Sequence, residues 1–411
     1  MSDPTPFPMP RATGCPLDPP PELTRLSRDR PVTRVRLWDG STPWLVTRYA
    51  DARALLADPR VSVDVAQPGF PHTNAVSRAR DARMKTLMQM DPPEHTAHRR
   101  MLIPGFTVRR MRELRPRVQR IVDDLIDGLL AGPDPADLVE AFALPVPSLV
   151  ICELLGVPYA DRGFFQDVAR SLVMDRADPG QALAASESLN AYLEDLVVKR
   201  SADPGEDMLS GLAVQRYRTG AMSATEIATM GQLLLVAGHD TTASMIALGT
   251  FALLTHPAQL RVVREGDPAM IAGAVEELLR HLSITHTEAR RVATEDIEIG
   301  GQVIRAGEGV IVAKSTANRD PEVFPDPDVL DVGRTGRSHI AFGHGVHQCL
   351  GQSLARMELE VVYGTLYRRI PSLALAVPPA DLEFKEKAVF YGVGELPVTW
   401  SRTENRNHRA P

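Results

Sequence analysis

The chain has few of the residues that cross-link small or secreted domains. Its 411 residues include three cysteines, Cys15, Cys152 and Cys349, and no two of them form a C-x-x-C pair. Neither a disulfide framework nor a zinc ribbon is therefore indicated. So few thiols are typical of proteins in a reducing cytoplasm. Hydrophobic residues nevertheless make up 44% of the chain, which is ample apolar material for a large core.

Long apolar runs and an excess of basic charge are also missing. No stretch of about 18 or more apolar residues occurs, so no membrane span is expected. Lys plus Arg number 46 against 52 Asp plus Glu, a formal net charge of −6, which argues against nucleic acid as the default partner. The first residues lack the basic and apolar regions of a signal peptide. We therefore expect a cytoplasmic protein.

Residue spacing predicts a mostly helical chain with small sheets near both ends. Apolar and charged residues alternate at helical spacing over 108–131, 181–201 and 350–370. Ser223 and Glu226 form a capping box that opens a helix running to about His256. Residues 32–46 resemble a hairpin that turns at Asp39-Gly40, and residues 381–400 alternate like an antiparallel pair. Residues 60–90 lack periodicity and indicate a long loop.

This organisation predicts three parts of unequal size. Residues 1–22 are proline-rich, which favours an extended or poorly ordered segment. Residues 23–401 show no boundary and are expected to form a single domain. Residues 402–411 are a polar tail that is expected to be disordered.

The densest chemical signal is the segment FGHGVHQCLG, residues 342–351. Gly343 and Gly345 allow the backbone to turn tightly and to approach a flat ligand closely. Cys349 precedes a helical run, and a helix N-terminus stabilises a thiolate through its free N–H groups and dipole. Such a thiolate is a strong axial donor to iron. Two alternatives stay open: a lone cysteine is usually a small buried hydrophobe, and one near a histidine can be a nucleophile.

The complete string resembles the haem-binding signature of the cytochrome P-450 family, F-G-x-G-x-H-x-C-x-G. The fixed positions are occupied by Phe342, Gly343, Gly345, His347, Cys349 and Gly351. The resemblance covers the chain from about residue 20 to 400 and implies a mainly α fold with small β-sheets, a triangular helical bundle around a buried haem. It implies that Cys349 is the thiolate ligand of the iron in haem b and that Leu350 also contacts the haem.

A polar string interrupts the apolar helix that begins after Ser223. It reads Ala237-Gly238-His239-Asp240-Thr241-Thr242, and an acid and hydroxyls inside a buried helix are costly. Such a break is either a kink without chemistry or a functional site. The string resembles the family motif A-G-x-D/E-T-T. That resemblance implies that Ala237 and Gly238 make room for O2 and that Asp240 and Thr241 deliver protons as the O–O bond breaks.

Glu277 and Arg280 stand three residues apart on a predicted helix and therefore share a face. A solvated surface pair is the ordinary interpretation of this spacing. The resemblance implies a buried ion pair that braces the fold, a structural role and not a catalytic one. The family often adds an arginine at the position that Val329 occupies here, so the third partner is left open.

His95 and Arg99 lie four apart on another predicted helix. Residues at this spacing usually face solvent together, but the two propionates of haem need cationic or hydrogen-bonding partners. The resemblance implies that His95 and Arg99 bind the propionates, with Arg291 and His347 as further partners. Arg290 is adjacent to Arg291, so a shift of one residue in the match to the family would assign the role to Arg290.

The resemblance places substrate contacts in variable segments of the chain. These include Leu234, Ile284, Thr285, Phe390 and Tyr391, a mostly apolar set that suits a medium or large apolar molecule with some oxygens. The N-terminal sequence resembles soluble actinobacterial members, which commonly oxidise polyketides, macrolides and other secondary metabolites, including antibiotic precursors, or foreign compounds.

The same resemblance implies a source of electrons outside the chain. Members of this type receive electrons from a separate ferredoxin, which a ferredoxin reductase supplies from NAD(P)H. No cysteine cluster for an iron–sulfur centre is present. We expect a monomer that binds neither nucleic acid nor membrane.

The expected reaction is insertion of one oxygen atom from O2, most simply hydroxylation of a C–H bond. Epoxidation, dealkylation, oxidative coupling and peroxide-driven oxidation could use the same haem site. A haem-binding sensor or carrier belongs to a different class and has no need of the Asp240–Thr241 pair. A helical binding protein without cofactor is the remaining alternative.

Overall fold

The computed structural model describes residues 3–81, 86–161, 163–165, 167–168, 179–336, 338–386 and 388–401. The chain divides into two compact units. One comprises Met1–Arg99, Gly273–Leu350 and Phe384–Tyr391, and the other comprises Arg100–Ala272, Gly351–Glu383 and Gly392–Pro411. The single domain expected over 23–401 stays a prediction, and the tail 402–411 lies outside the described residues.

Helices dominate the described chain, as the spacing predicted. They are α1 Pro21–Asp29, α2 Tyr49–Ala57, α3 Ala75–Asp81, α4 Glu94–Leu102, α5 Val108–Ala131, α6 Pro145–Leu155, α7 Pro179–Ala202, α8 Met208–Leu212, α9 Ala224–Thr255, α10 Pro257–Glu265, α11 Pro268–His281, α12 Lys314–Ala317 and α13 Gln352–Arg369. The capping box of Ser223 and Glu226 forms in both directions at the start of α9, so that helix begins where the sequence predicted.

The strands are short and form three sheets. They are β1 Thr5–Pro6, β2 Val32–Arg36, β3 Trp44–Val46, β4 Val61–Ser62, β5 Ala136–Asp137, β6 Ala289–Ala293, β7 Ile297–Ile299, β8 Gln302–Ile304, β9 Gly309–Val312, β10 Ala374–Leu375 and β11 Pro397–Thr399. The largest sheet has the order β1-β2-β3-β9-β6-β4.

The first unit is built on this largest sheet. The predicted hairpin is confirmed, because Val32 pairs with Val46 across antiparallel β2 and β3. Strand β6 pairs antiparallel with β9 in a register that sets Arg291 opposite Val310. The N-terminal segment joins the sheet through β1, which runs parallel to β2, and it buries Phe7 and Met9 in the core.

The second unit is organised around α9. Most side chains of this helix are buried, as expected for a core helix that is apolar on nearly all sides. The Tyr363 hydroxyl on α13 donates a hydrogen bond of 2.6 Å to the Met245 carbonyl on α9. A Cβ at Gly249 would lie 2.0 Å from that hydroxyl, so only glycine allows the two helices to approach this closely.

Among the described residues, no single helix has the length and apolarity needed to cross a membrane. Only α9 and α10 taken together, bent by 113°, satisfy the length and composition criteria.

Two expectations about local structure need correction. Residues 60–90 are not one loop, because β4, α3 and a 3₁₀ turn at Leu87–Gln89 lie within them; residues 82–85 lie outside the described residues. Residues 381–400 pair with themselves only briefly, where the Gly394 N–H donates to the Glu383 carbonyl at 2.9 Å. Strand β11 pairs instead with β10, just before this segment, and with β5, which is far away in the sequence; the pairing with β5 leaves no local pattern.

Candidate functional site

The cysteine segment of the first unit is a closed loop. The Cys349 N–H donates to the Phe342 carbonyl at 2.8 Å, and the Gln348 N–H donates to the Gly345 carbonyl at 3.0 Å. Cys349 itself is exposed, and α13 begins three residues later with Gly351 as its N-cap. The thiol is therefore held by backbone hydrogen bonds ahead of a helix and is open to a ligand.

Both glycines of the loop have the left-handed backbone that favours this residue. Gly343 has φ of 74° and Gly345 has φ of 72°. A Cβ at Gly345 would lie 2.3 Å from the Leu56 carbonyl oxygen. The predicted tight turn is observed. The close approach at Gly345 is to the chain itself, and the approach of the loop to a flat ligand stays a prediction.

Four basic side chains of the same unit form what we call the open cationic cluster: His95, Arg99, Arg291 and His347. The rings of His95 and His347 lie 4.1 Å apart between centroids. Burial, followed by the charges of Arg291, His95 and Arg99, lowers the pKa of His347 to about 3. Burial also lowers the pKa of Arg291, to about 10. Four groups from three distant parts of the chain thus share one electrostatic environment.

The members of the cluster have no direct ion-pair partner in the described part of the chain, although the charge of Asp91 acts on His95 and Arg291. There, no carboxylate forms an ion pair with any of its four members. His95 is 2% exposed, and its Nδ1 is buried without a hydrogen-bond partner. Among the described residues, the Arg291 side chain donates only to the Arg290 carbonyl, at 2.7 Å. Arg99 and Arg291 are half-buried, and cations withdrawn from water are normally paired, so this arrangement is complementary to an anionic ligand.

The neighbouring Arg290 has a different environment. Its guanidinium lies 3.5 Å from the Asp81 carboxylate and above the ring of Phe70 at 5.4 Å. Because successive residues of β6 point to opposite faces of the sheet, only Arg291 can join the cluster. The register therefore supports Arg291 over Arg290.

Glu277 and Arg280 form a fully buried pair on α11. Arg280 donates from Nε and Nη2 to the two carboxylate oxygens of Glu277, at 2.8 Å each. Its Nη1 donates to the carbonyls of Asn318 at 3.0 Å and Pro327 at 2.8 Å. Both residues are 2% exposed, so the solvated alternative is wrong and a structural ion pair is present.

The third partner of this pair, which the sequence left open, is Arg334. Its Nε donates to Glu277 at 3.1 Å, and its Nη2 donates to the Asp326 and Val329 carbonyls at 3.1 and 3.2 Å. Val329 thus takes part through its backbone carbonyl, at the position where the family often has an arginine side chain. We call Glu277, Arg280 and Arg334 the brace. Arg334 lies five residues after Val329, and no motif marked it.

The polar string lies on α9 in the second unit. Thr241 donates its hydroxyl to the Ala237 carbonyl at 2.8 Å, the backward bond expected of a threonine in a helix. Ala237, Gly238 and Asp240 are half-buried. A Cβ at Gly238 would come within 3.1 Å of Ile151, so the glycine relieves a tight helix contact.

Comparisons with known proteins decide between a haem enzyme and the alternatives. The family model described as Cytochrome P-450 matches residues 184–370. Cytochrome P-450 GfsF of Streptomyces halstedii is 52% identical over 397 residues, 96% of each chain. The chain belongs to the cytochrome P-450 family. It is a monooxygenase of actinobacterial type, with haem-thiolate and O2 as the family's cofactor and oxidant.

Further comparisons agree with this cytochrome P-450 assignment. The pentalenic acid synthase of Streptomyces avermitilis is 48% identical over 402 residues, 97% of this chain and 98% of that protein. The crystal structure of GfsF superposes with a TM-score of 0.93 at 51% identity, and the match covers 97% of this chain and 100% of that one. The predicted mainly α cytochrome P-450 fold is therefore confirmed.

The donor set of this cytochrome P-450 fits the haem that the family implies. Two propionates would supply the anions that the open cationic cluster lacks, and one could accept a hydrogen bond from the buried imidazole of His95. The exposed thiol of Cys349 is the soft ligand that iron in this family uses. The Nδ1 of His95, buried without a hydrogen-bond partner, fits an acceptor such as a propionate oxygen.

The structure brings together four of the five predicted substrate residues. The Tyr391 N–H donates to the Ile284 carbonyl at 2.7 Å, and Thr285 forms a β-bridge with Phe390. Leu234 lies on α9 in the other unit and is half-buried. Contact with substrate stays a prediction for all five.

One residue beside the cluster was missed. Lys314 is half-buried at the start of α12, and its pKa is lowered by burial, while the charges of Glu288 and Cys349 raise it. No motif contains Lys314. Its proximity to Arg291 follows from the pairing of β6 with β9, which sequence spacing did not reveal.

Proposed function

We propose that this chain inserts one oxygen atom from O2 into a C–H bond of a mostly apolar secondary metabolite, such as a polyketide or macrolide, or of a foreign compound. The observation that carries the proposal is that one unit holds both an exposed cysteine loop and a cluster of basic side chains with no ion-paired carboxylate among the described residues. The family implies haem, and these residues have the donors for iron and for two propionates.

The cysteine loop and the open cationic cluster would supply the iron ligand and the propionate partners of the haem. Cys349 would ligate the iron, and His95, Arg99, Arg291 and His347 would bind the propionates. The remaining predicted haem contacts are Phe342, Gly343, Gly345, Leu350, Gly351, Ala237 and Gly238. When bound, the thiolate-ligated haem supplies the reductive activation of O2.

Asp240 and Thr241 would deliver the protons that O–O cleavage consumes. The Thr241 hydroxyl donates to Ala237 in the present conformation, so its oxygen keeps lone pairs that can accept a hydrogen bond. Donation toward the reacting oxygen requires the hydroxyl to rotate away from that carbonyl. Asp240 adjoins it as an ionisable group that can resupply the proton.

The substrate class is supported by the relatives and by the apolar character of the predicted contacts. One relative is named for the synthesis of pentalenic acid, a secondary metabolite. We propose that Leu234, Ile284, Thr285, Phe390 and Tyr391 contact the substrate, and that antibiotic-type biosynthesis is the setting. Epoxidation, dealkylation, oxidative coupling or peroxide-driven oxidation would use the same residues.

Bacterial members of this class use ferredoxin partners and small-molecule substrates. We propose that a separate ferredoxin and ferredoxin reductase deliver electrons from NAD(P)H to this chain in the cytoplasm, and that the chain acts as a monomer.

The carbon monoxide difference spectrum of the reduced protein tests the haem site. We expect the red-shifted Soret band of a thiolate-ligated haem, and we expect Cys349→Ala to abolish it. Cys15→Ala, which removes another exposed cysteine, should leave the band unchanged. A purified chain without haem, or with haem but without that band in the wild type, would overturn the proposal.

Thr241→Ala tests proton delivery. Product formed per O2 consumed should fall by about 10²-fold, the lower end of what one proton-transfer group contributes, while the carbon monoxide spectrum is retained. Thr229→Ala is the matched control, because Thr229 makes the same backward bond to Thr225, at 2.9 Å, on the exposed start of α9. Unchanged coupling in Thr241→Ala would contradict the role, and an intact spectrum without any oxygenated product would favour a sensor.

A further inference from the structure

Arg11 joins three separate stretches of the first unit through one side chain. Its Nη2 donates to the Ser283 carbonyl at 2.9 Å, and its Nη1 donates to the carbonyls of Pro16 and Asp18. The guanidinium carbon lies 4.0 Å from the centre of the Tyr391 ring. The proline-rich N-terminal segment is thereby attached to the two segments that carry four of the proposed substrate contacts.

Those two segments are connected by few backbone contacts. His286 donates its N–H to the Val389 carbonyl at 3.2 Å, Tyr391 donates to Ile284 at 2.7 Å, and Thr285 bridges to Phe390. Such a short connection resists fraying less than a full strand pair. A side chain that holds Ser283 on one segment and Tyr391 on the other limits their relative movement.

The Tyr391 ring is fixed from two directions. Arg11 covers it at cation–π distance, and the Phe384 ring stacks parallel to it with centroids 5.8 Å apart. Tyr391 is only 2% exposed. Because Phe390 adjoins Tyr391 in the chain, restraint of Tyr391 also restrains Phe390 and its bridge to Thr285.

Arg11 does not reach substrate itself. The cavity that it lines with Ser283, Thr285 and Ser315 measures about 10 Å³, far below the several hundred Å³ of a ligand pocket. Within the described part of the chain, Arg11 forms no ion pair with a carboxylate. Its Nη atoms donate to carbonyls and its guanidinium covers the Tyr391 ring, whereas its Nε is buried without a hydrogen-bond partner. Any effect on substrate must pass through the segments it holds.

We propose that Arg11 is a positioning residue that sets substrate selectivity by holding the 283–286 segment against the 389–391 segment. The inference rests on the proposed function, which makes these segments part of the substrate site. It assigns a functional consequence to the N-terminal segment, which the sequence had indicated only as extended or poorly ordered.

The competing explanation is that Arg11 merely anchors the N-terminus. The segment has other anchors, since Phe7 and Met9 are 5% and 3% exposed and the Phe7 N–H donates to the Arg36 carbonyl at 2.9 Å. Met9 lines the same small cavity as Arg11. Met9→Ala therefore loosens the segment without removing the hydrogen bond to Ser283 or the contact with Tyr391.

The experiment compares Arg11→Met, Arg11→Lys and Met9→Ala in the haem-loaded protein, with Arg25→Met as a surface control. Arg25 is 51% exposed and pairs with Glu22. Hydrogen exchange followed by mass spectrometry reports on peptides that contain the amides of His286 and Tyr391. Arg11→Met should speed their exchange, Arg11→Lys should restore part of the protection, and neither Met9→Ala nor Arg25→Met should have this effect.

Two iron-binding probes distinguish a change in the shape of the pocket from a change at the haem iron. Imidazole is small, whereas 4-phenylimidazole carries a ring that must fit the surrounding pocket. Arg11→Met should weaken binding of 4-phenylimidazole by about fivefold, the scale of one lost cation–π contact, and should leave imidazole binding unchanged. Arg11→Lys should recover part of the affinity.

Unchanged exchange in Arg11→Met, or equal effects of Arg11→Met and Met9→Ala on both measurements, would overturn the proposal. So would a parallel weakening of both probes. Absence of the thiolate-haem spectrum in the wild type would instead refute the proposed function. Hydrogen exchange would still show whether Arg11 holds the two segments together.

Discussion

The brace and the open cationic cluster are two arginine-containing sites of the same unit, both largely withdrawn from water, and they handle positive charge in opposite ways. In the brace, Glu277 accepts from both Arg280 and Arg334, and nearby carbonyls accept their remaining N–H groups. In the open cationic cluster, no carboxylate forms an ion pair with Arg99 or Arg291 among the described residues. The guanidinium groups of the brace are paired with a carboxylate of the chain, whereas Arg99 and Arg291 form no such ion pair among the described residues.

This difference separates a structural site from a binding site. A buried charge is strongly unfavourable unless it is paired and hydrogen-bonded, so the brace stabilises only when all its members are present. The open cationic cluster raises the free energy of the empty site and lowers it again when an anion binds. Removing a member should therefore destabilise the fold in the first case and weaken ligand binding in the second.

The largest expected effect comes from breaking the brace. Glu277→Gln leaves two buried guanidinium groups without their carboxylate and should lower the free energy of unfolding by about 3–5 kcal/mol. Chemical denaturation of the haem-loaded protein measures this. Glu22→Gln is the matched control, because Glu22 and Arg25 have the same i,i+3 spacing but are exposed, and such pairs contribute about 1 kcal/mol or less. A similar small loss in both variants would contradict the structural role of the brace.

A smaller effect of a different kind is expected in the open cationic cluster. Arg291→Met should speed haem loss to an excess of an apo-globin acceptor by about tenfold, equivalent to ~1.4 kcal/mol of lost charge-assisted binding. Arg290→Met serves as the control, since Arg290 pairs with Asp81. Equal rates of haem loss in the two variants would contradict the proposal that Arg291 binds the haem.

The smallest effect is expected at a buried carboxyl group that belongs neither to the brace nor to the open cationic cluster. Glu358 on α13 is 2% exposed, its Oε2 has no hydrogen-bond partner, and burial raises its pKa from 4.5 to about 8. The folded state therefore holds a proton that the unfolded state releases. The resulting stability is fully present below the unfolded pKa and is lost as pH rises through the folded pKa.

Glu358→Gln should remove this dependence, because the amide cannot ionise. Between about pH 7 and pH 8 the wild type should lose roughly 1 kcal/mol of unfolding free energy more than the variant does. Urea denaturation at the two pH values measures the difference. Glu360→Gln is the control on the same helix, since Glu360 pairs with Arg115 at 2.8 Å. The same pH dependence in Glu358→Gln and the wild type would show that Glu358 is ionised in the fold.

Local signals predicted much of the helical framework. The limits of α5 and α9 agree with those expected from apolar spacing and from the Ser223 capping box, because helix ends depend on neighbouring residues. The pairing of Glu277 with Arg280 was also predicted, since residues three apart on one helix must share a face. The roles of Cys349, Asp240 and Thr241 came from motif resemblance and stay proposals.

What the sequence by itself determined is the family, the mainly α fold and the set of residues that stand together in motifs. Only the tertiary structure decided that Arg334 completes the brace, that Arg291 and not Arg290 joins the open cationic cluster, that β11 pairs with β10 and β5, and that Arg11 holds Ser283 and Tyr391. Each of these depends on contacts between residues far apart in the chain. Spacing within a segment records which face a side chain shares with its neighbours, whereas its distant partner is set by how the segments pack.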